Sequence, residues 1–320
     1  MTGSLRAILL LGLFSLLAAC ARAPLLPAET ARLPERVELT GVPFYPQDDY
    51  QCGPAALATM LSQRGLDTSP GLLKDQVYLP GRQGSLQVEM VAAARRHGML
   101  VYPLAPRLES VLAEVAAGNP VLVLQNLALD WWPSWHFAVV VGYDRRERQL
   151  ILRSGTTRRL TTDFVAFDRT WAKGGRWAVL TLPANRLPAT AQAQSWLQSA
   201  SDLEETGQAD VAQRAYRAAV EHWPEASVGW FALANSRHAE GNPRGAEEAL
   251  RESLKRDPRL AAGWFNLSEV LAERGCPAVA SQARSCARQL APQDSRFAAE
   301  LPAARAADAN CAPVPVCPSS

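Results

Sequence analysis

A cysteine and a histidine in the first half of the chain have surroundings that suit covalent catalysis. Cys52 is followed by Gly53, Pro54 and an alanine-rich run, so the sequence predicts that the cysteine lies at a helix N-terminus. Free amide groups and the helix dipole favour the thiolate there, which is the nucleophilic form of the side chain. His136 begins a run typical of a β-strand, and it can face Cys52 as base and then as acid.

Polar residues before Cys52 complete this candidate site. Gln47 lies five residues upstream, where its side-chain amide can donate a hydrogen bond to an oxyanion. Asp48 and Asp49 are interpreted as loop-shaping residues, and we expect neither a metal nor a cofactor here. A cysteine alone is more often a buried structural residue, so the catalytic interpretation depends on its combination with His136 and Gln47.

The elements that must position these side chains lie between residues 37 and 183. A helical stretch near 86–97 follows the Cys52 helix, and apolar runs typical of strands come after it. These runs cover 120–125, 136–141, 149–152 and 177–182. Helices first and a mostly antiparallel sheet afterwards predict an α+β domain.

The motifs Gln47, Cys52-Gly-Pro and His136-Phe-Ala-Val-Val-Val-Gly142 occur in the order and approximate separation found in papain-like peptidases. At these residues the chain resembles the bacteriocin-processing (double-glycine) cysteine peptidase family, over about 150 residues. The resemblance implies a papain-like fold, a peptide or protein substrate, and oxyanion, nucleophile and base roles for Gln47, Cys52 and His136. Transfer of an acyl group by the same pair stays open.

The chain departs from the family where an Asp usually orients the histidine. A hairpin centred near Arg146 places Ser154 or Thr156 opposite His136, and Asn126 on the neighbouring strand is the other candidate. Asp144 lies eight residues along the strand, about 27 Å away at ~3.4 Å per residue. Because no candidate carries a charge, the alternative function is a weakly active or inactive peptide-binding adaptor.

A period of 34 residues fills the C-terminal third of the chain. Five registers repeat at this spacing: Trp196, Trp230 and Trp264; Gly207, Gly241 and Gly275; Ala212, Ala246 and Ala280; Ala215, Ala249 and Ala283; Pro224, Pro258 and Pro292. The pattern resembles the tetratricopeptide repeat. It implies an all-α domain over 193–292 that binds protein partners.

The first residues of the chain are typical of targeting and not of a folded element. Arg6 precedes an apolar run that ends in Leu17-Ala-Ala-Cys20 and is too short to span a bilayer comfortably. The run resembles a lipoprotein signal peptide (1–19), in which Cys20 is lipidated and residues 20–36 form a tether. Ala21 after the cysteine implies an outer-membrane lipoprotein that faces the periplasm, where disulfides can form.

Four further cysteines lie at the end of the last repeat and in the tail (293–320). Cys276 and Cys286 are ten residues apart on one predicted helix, about 15 Å at ~1.5 Å per residue, so they are too far apart to bond each other. Each therefore needs a partner in the tail, where Cys311 and Cys317 are the candidates.

Composition agrees with two folded domains plus terminal segments. The 320 residues are 48% hydrophobic and 20% charged, and exceed what one core usually organises. With 33 Lys+Arg against 31 Asp+Glu, the net charge of +2 gives no support for a nucleic-acid-binding surface.

Overall fold

The computed structural model describes residues 28–47, 51–304 and 310–319. Its strands are β1 (Arg36–Glu38), β2 (Leu100–Pro103), β3 (Val121–Asn126), β4 (Trp135–Asp144), β5 (Gln149–Ser154), β6 (Thr157–Asp163) and β7 (Ala178–Leu182). Its helices are α1 (Cys52–Ser62), α2 (Pro70–Val77), α3 (Gln87–Arg96), α4 (Leu108–Ala116), α5 (Phe164–Lys173), α6 (Ala193–Glu205), α7 (Ala209–His222), α8 (Ser227–Ala239), α9 (Pro243–Arg256), α10 (Ala261–Glu273) and α11 (Pro277–Leu290).

The chain divides into two compact units. The first is formed by residues up to Met90 together with Pro103–Leu180, and the second by Val91–Tyr102 together with the residues from Thr181 onwards.

The first unit is built on an antiparallel sheet. Strands β7, β3, β4, β5 and β6 lie side by side in this order, and β1 pairs with the end of β4 that β3 does not reach. All six residues of β3 are buried, which agrees with its continuous apolar sequence and its central place in the sheet. The predicted α+β arrangement with an antiparallel sheet is confirmed.

Helix α1 packs against β4 and is apolar on every side. The residues from Gly53 to Leu61 are all buried, so the helix that begins at Cys52 lies inside the unit. The alanines at its start allow the helix to approach the sheet closely. A buried, rigid helix therefore fixes the position of Cys52.

Two elements after β5 were not predicted from the sequence. Strand β6 is an edge strand with a mostly exposed surface, and its residues Thr-Arg-Arg-Leu-Thr-Thr-Asp do not alternate between apolar and polar. Helix α5 follows directly, capped by the Asp163 carboxylate on the amides of Val165 and Ala166. It buries Phe164, Phe167 and Trp171 on one face.

The second unit contains the helices of the 34-residue period, α6 to α11. The glycines at the period's second register, Gly207, Gly241 and Gly275, have φ values of +82°, +76° and +81° and lie just after the first helix of each pair. All six alanines of the period are fully buried, because the paired helices approach closely there. The structure thus gives a helical region in which the repeated alanines pack paired helices together and the repeated glycines turn the chain between them.

The C-terminal tail is fastened to this helical region. Cys276 bonds Cys311 and Cys286 bonds Cys317, with Cα–Cα distances of 5.6 and 5.7 Å. The guanidinium of Arg251 donates to the main-chain carbonyls of Ala312 (2.9 Å) and Pro313 (2.7 Å). The sequence predicted that Cys276 and Cys286 each bond a cysteine of the tail, but it did not decide which of Cys311 and Cys317 bonds which.

Candidate active site

The side chain of Cys52 lies between helix α1 and strand β4. Cys52 is the first residue of α1 and the free cysteine among the described residues. The amides of Phe137, Gly53 and Cys52 itself donate towards its sulfur. Because Phe137 directly follows His136, this contact brings the thiol to the part of β4 that carries the histidine.

The protonation of the pair differs from the sequence-based expectation. Burial raises the pKa of the Cys52 thiol, and the three amides oppose this shift without overcoming it. Burial also lowers the pKa of His136. The expectation that the helix N-terminus gives a low thiol pKa is therefore wrong, because desolvation of the buried sulfur outweighs the helix amides. Without substrate, the neutral thiol and the neutral imidazole are favoured.

Ser154 is the polar group that contacts the His136 ring. The His136 Nε2 and Ser154 Oγ atoms are 2.8 Å apart, and Ser154 is buried at the end of β5. Val139 pairs with Arg153 in the β4–β5 register, which places residues 154–156 alongside the start of β4. With Nε2 engaged by Ser154, Nδ1 is the ring nitrogen available for proton exchange with a thiol.

Asn126 does not lie where it could orient the His136 ring. Its register partner on β4 is Trp135, whereas Gln125 pairs with His136, so the Asn126 and His136 side chains point to opposite faces of the sheet. The Asn126 amide oxygen accepts from the amides of Ala128 and Ser134, and its nitrogen donates to a loop carbonyl. We therefore correct this candidate: Asn126 fixes the β3–β4 loop and does not contact the imidazole.

Gln47 is positioned by its main chain. Its amide donates to the carbonyl of Gly155 at 3.2 Å, in the tight turn that joins Ser154 to β6. Gly155 has φ +58°, a conformation that suits glycine. The same turn therefore places both Ser154 and Gln47.

The segment before Gln47 is held at two further points. The buried Arg153 guanidinium donates to the Val42 carbonyl at 3.3 Å and to the Arg158 carbonyl at 2.6 Å. The Tyr45 hydroxyl lies 2.9 Å from the hydroxyl of Ser62 at the end of α1. The oxyanion candidate thus lies on a loop tied to both the sheet and the nucleophile helix.

Cys52, His136 and Gln47 line one cavity of about 590 Å³. Its other walls come from the 82–86 loop, the end of the β3–β4 loop and the start of β4: Arg82, Gln83, Gly84, Ser85, Leu86, Pro133, Ser134, Trp135 and Phe137. The structure therefore brings the three predicted residues to one concave surface, with Ser154 behind the histidine.

A match to a protein family covers most of the first unit. Residues 39–179 match the model of the Peptidase_C39 like family. The C39-like region contains every residue of the cavity, which supports a peptidase. A search of the curated proteins finds no match.

Solved structures similar to the chain include two peptidases. A C39-like peptidase from Bacillus anthracis is 18% identical, with a TM-score of 0.39, over 47% of this chain and 98% of its own. The double glycine motif protease of an AMS/PCAT transporter, in complex with a leader peptide, is also 18% identical, with a TM-score of 0.33, over 44% and 90%. The Yersinia enterocolitica type III secretion chaperone SycD, in complex with a YopD peptide, is 19% identical, with a TM-score of 0.31, over 33% and 80%.

Several residues of the C39-like cavity were not identified from the sequence. Ser85 lies in a loop and Trp135 is the first residue of β4, and no spacing rule connects residues 82–86 with Cys52. The Trp131-Trp132-Pro-Ser-Trp135 stretch was visible as an aromatic loop. In the structure Trp131 and Trp132 of this stretch are 78% and 72% exposed and do not line the cavity, whereas Trp135 does.

Some predicted residues and features are placed differently or fall outside the described ranges. Cys20, Asp48 and Asp49 lie outside the described residues. Within 28–47, 51–304 and 310–319, no group of His, Cys, Asp or Glu has the arrangement of a metal site. In the same ranges no helix is long and apolar enough to cross a bilayer.

Proposed function

We propose that the C39-like region is a papain-like cysteine peptidase that hydrolyses peptide bonds. Cys52 is the nucleophile, His136 the base and acid, Gln47 the oxyanion donor and Ser154 the group that orients the imidazole. The observation that carries the proposal is the cavity that Cys52, His136 and Gln47 line together, within residues that match a peptidase family. The 2.8 Å contact of Ser154 with the ring gives the histidine a defined orientation.

The proposed first step forms a thioester. His136 removes the Cys52 proton as the sulfur attacks the scissile carbonyl, since both groups are neutral beforehand. Gln47 donates to the oxyanion of the tetrahedral intermediate. His136 then gives the proton to the leaving amine, and the C–N bond breaks.

Hydrolysis completes the cycle. His136 takes a proton from water, whose oxygen attacks the thioester carbonyl. The C–S bond breaks, the peptide leaves with a new carboxyl group, and the sulfur regains its proton from His136. Ser154 has no charge to stabilise the imidazolium, so we expect slower turnover than in enzymes with an Asp at that place.

A peptide-library digestion tests this function. The chain is incubated with a mixture of synthetic peptides in water enriched in ¹⁸O, and the products are identified by mass spectrometry. We expect new cleavage products with one ¹⁸O in the new carboxyl group, and none with Cys52→Ala. Joined peptides without ¹⁸O would indicate acyl transfer in place of hydrolysis.

A second function is favoured by the protonation of the site. A raised thiol pKa, a lowered imidazole pKa and an uncharged third member are also the properties of a domain that binds peptides without cleaving them. This adaptor predicts saturable peptide binding to both the unaltered chain and Cys52→Ala, with no cleavage by either.

The anchoring and the partners are parts of the same proposal. Lipidation of Cys20 holds the protein to the outer membrane, facing the periplasm. The C-terminal part of the tether is fixed to the sheet by Arg145, which donates to the carbonyls of Leu33 and Pro34. In the β1–β4 register Arg36 lies opposite Asp144. Asp144 is eight residues along β4 from His136, a distance of about 27 Å at ~3.4 Å per residue. The tether therefore joins the sheet at the end of β4 opposite to the one that carries His136.

We propose that the helical region binds a protein partner in the manner of tetratricopeptide repeats. The support is the 34-residue period and the capture of the tail, whose main-chain carbonyls are bound by Arg251. These contacts illustrate how helix α9 can bind an extended segment through its backbone.

A further inference from the structure

Ser85 carries a hydroxyl group that nothing in the described part of the chain satisfies. Its Oγ is buried from solvent and has no hydrogen-bond partner among the described residues. A buried hydroxyl without a partner costs about 1–3 kcal/mol. The unsatisfied hydroxyl lowers the stability of the folded chain, and such groups often have a functional role. The position of Ser85 relative to the catalytic cavity therefore matters.

Ser85 lies directly beside the start of the nucleophile helix. A Cβ added to Gly53 would overlap the Oγ of Ser85 and lie 2.5 Å from its Cβ. Only a glycine after Cys52 leaves room for this serine. Ser85 therefore packs against Gly53, the residue that directly follows the proposed nucleophile.

The surrounding loop holds Ser85 in place. The Leu79 amide donates to the Gly84 carbonyl at 2.8 Å, which closes a short antiparallel bridge around Pro80–Arg82. Gln83 adopts a left-handed conformation with φ +48° to complete the turn. Backbone strain of this kind in a non-glycine residue is maintained only where the surrounding structure fixes it.

Ser85 is also part of the wall between two cavities. It lines the 590 Å³ cavity with Cys52 and His136, and it lines a neighbouring cavity of about 240 Å³ with Leu86, Leu124 and Trp135. A peptide that places its scissile bond at Cys52 and a neighbouring side chain in the smaller cavity passes over Ser85. In the structure the hydroxyl lies against Gly53, so contact with such a peptide requires a rotation about χ1 of Ser85.

We infer that Ser85 binds a main-chain amide of the substrate next to the scissile bond. The ligand class is an extended polypeptide, recognised through its backbone and not through a particular side chain. A serine hydroxyl both donates and accepts, so it suits an amide group, and the bond gives the unsatisfied hydroxyl a partner only when substrate is present. The inference rests on the proposed peptidase site, because it places the scissile bond at Cys52.

The test uses two thiol-reactive probes on the full chain. Acetyl-Leu-Ala vinyl sulfone needs the substrate site, whereas iodoacetamide needs only the Cys52 thiol. For Ser85→Ala we expect the half-saturating vinyl sulfone concentration to rise about fivefold to tenfold, the worth of one hydrogen bond. The maximal inactivation rate and the iodoacetamide rate should stay unchanged, and the melting temperature should not fall.

A backbone-modified probe identifies the contact itself. In the depsipeptide analogue an ester replaces the amide between leucine and alanine, which removes its N–H and weakens its carbonyl as an acceptor. We expect this probe to bind less tightly than the amide probe to the unaltered chain, by about the same factor, and no less tightly to Ser85→Ala.

Thr68→Val is the matched control, because Thr68 also has a buried hydroxyl oxygen without a partner among the described residues but does not line either cavity. It should leave both probe reactions unchanged. Equal vinyl sulfone binding by Ser85→Ala and the unaltered chain overturns the inference, as does a fall in melting temperature with slower iodoacetamide reaction. A chain whose Cys52 reacts with iodoacetamide but not with vinyl sulfone overturns the proposed peptidase itself.

Discussion

Removal of the Ser154 hydroxyl should slow catalysis without weakening substrate binding. In Ser154→Ala the 2.8 Å contact with His136 Nε2 is lost and a buried ring nitrogen is left without its partner. The cost of such a loss is about 1–3 kcal/mol, or about 5- to 150-fold in rate. Ser154 does not line the cavity, so the loss should appear in kcat while KM stays close to its original value.

The physical reason lies in the orientation and tautomer of the imidazole. Ser154 engages Nε2 and leaves Nδ1 for the Cys52 proton, so without the hydroxyl the ring has no fixed tautomer. Steady-state turnover of a peptide identified in the library digestion gives kcat and KM for both proteins. Ser154→Thr keeps the hydroxyl and should retain most of the activity, whereas Ser154→Asp adds a negative charge beside the ring and should raise activity or widen its pH range.

Asn126→Ala separates ring orientation from loop support. It should lower the melting temperature through the β3–β4 loop, whose amides at Ala128 and Ser134 it caps, while the pH profile of catalysis keeps its shape. Turnover by Ser154→Ala within about twofold of the unaltered chain would refute the reasoning. So would a loss of activity in Asn126→Ala that exceeds the loss in Ser154→Ala.

Four further predictions concern the oxyanion donor, the titration of Cys52, the titration of His136 and the membrane anchor. Gln47→Ala should lower kcat about 100- to 1000-fold if its amide is the oxyanion donor, and an unchanged kcat would assign that task to main-chain amides. Because burial raises the pKa of Cys52, the iodoacetamide rate should still be rising above the ordinary thiol pKa, and a plateau between about pH 5 and 8 would instead indicate a preformed thiolate–imidazolium pair. Because burial lowers the pKa of His136, the imidazole stays a base below its usual pKa, and the acidic limb of kcat/KM should lie below about pH 6.5. Cys20→Ser should move the protein from the membrane to the soluble periplasmic fraction, and a mutant that still sediments with membranes after a high-salt wash would contradict lipid anchoring.

The sequence predicted the fold where apolar patterning was strong. Continuous or alternating apolar runs gave β3, β4, β5 and β7, and the 34-residue period gave the helical region. Strand β6 was missed because its exposed residues carry no periodic signal, and its role as an edge strand depends on pairing with β5. Pairing between distant or adjacent segments is a tertiary property that local propensity does not encode.

The grouping of the candidate site residues in one cavity was predicted from the sequence, but the direction of the Cys52 pKa shift was not. The residue types and spacing of Cys52, His136 and Gln47 pointed to the cavity that they line together. The sequence left Ser154 and Asn126 as alternatives, because a one-residue change of register moves a side chain to the other face of the sheet. Burial reversed the expected direction of the Cys52 pKa, since desolvation depends on what surrounds the sulfur in the folded protein.

The most direct measurement of the central claim is site-specific labelling by a peptide-like electrophile. The full chain is treated with acetyl-Leu-Ala vinyl sulfone, and the adduct is counted by intact mass and located by peptide mapping. The account predicts one adduct, on Cys52, and its formation should slow strongly in His136→Ala although that variant keeps its fold. Labelling that is absent, that falls on another residue, or that proceeds equally fast without His136 would contradict the assignment of Cys52 and His136 as a catalytic pair.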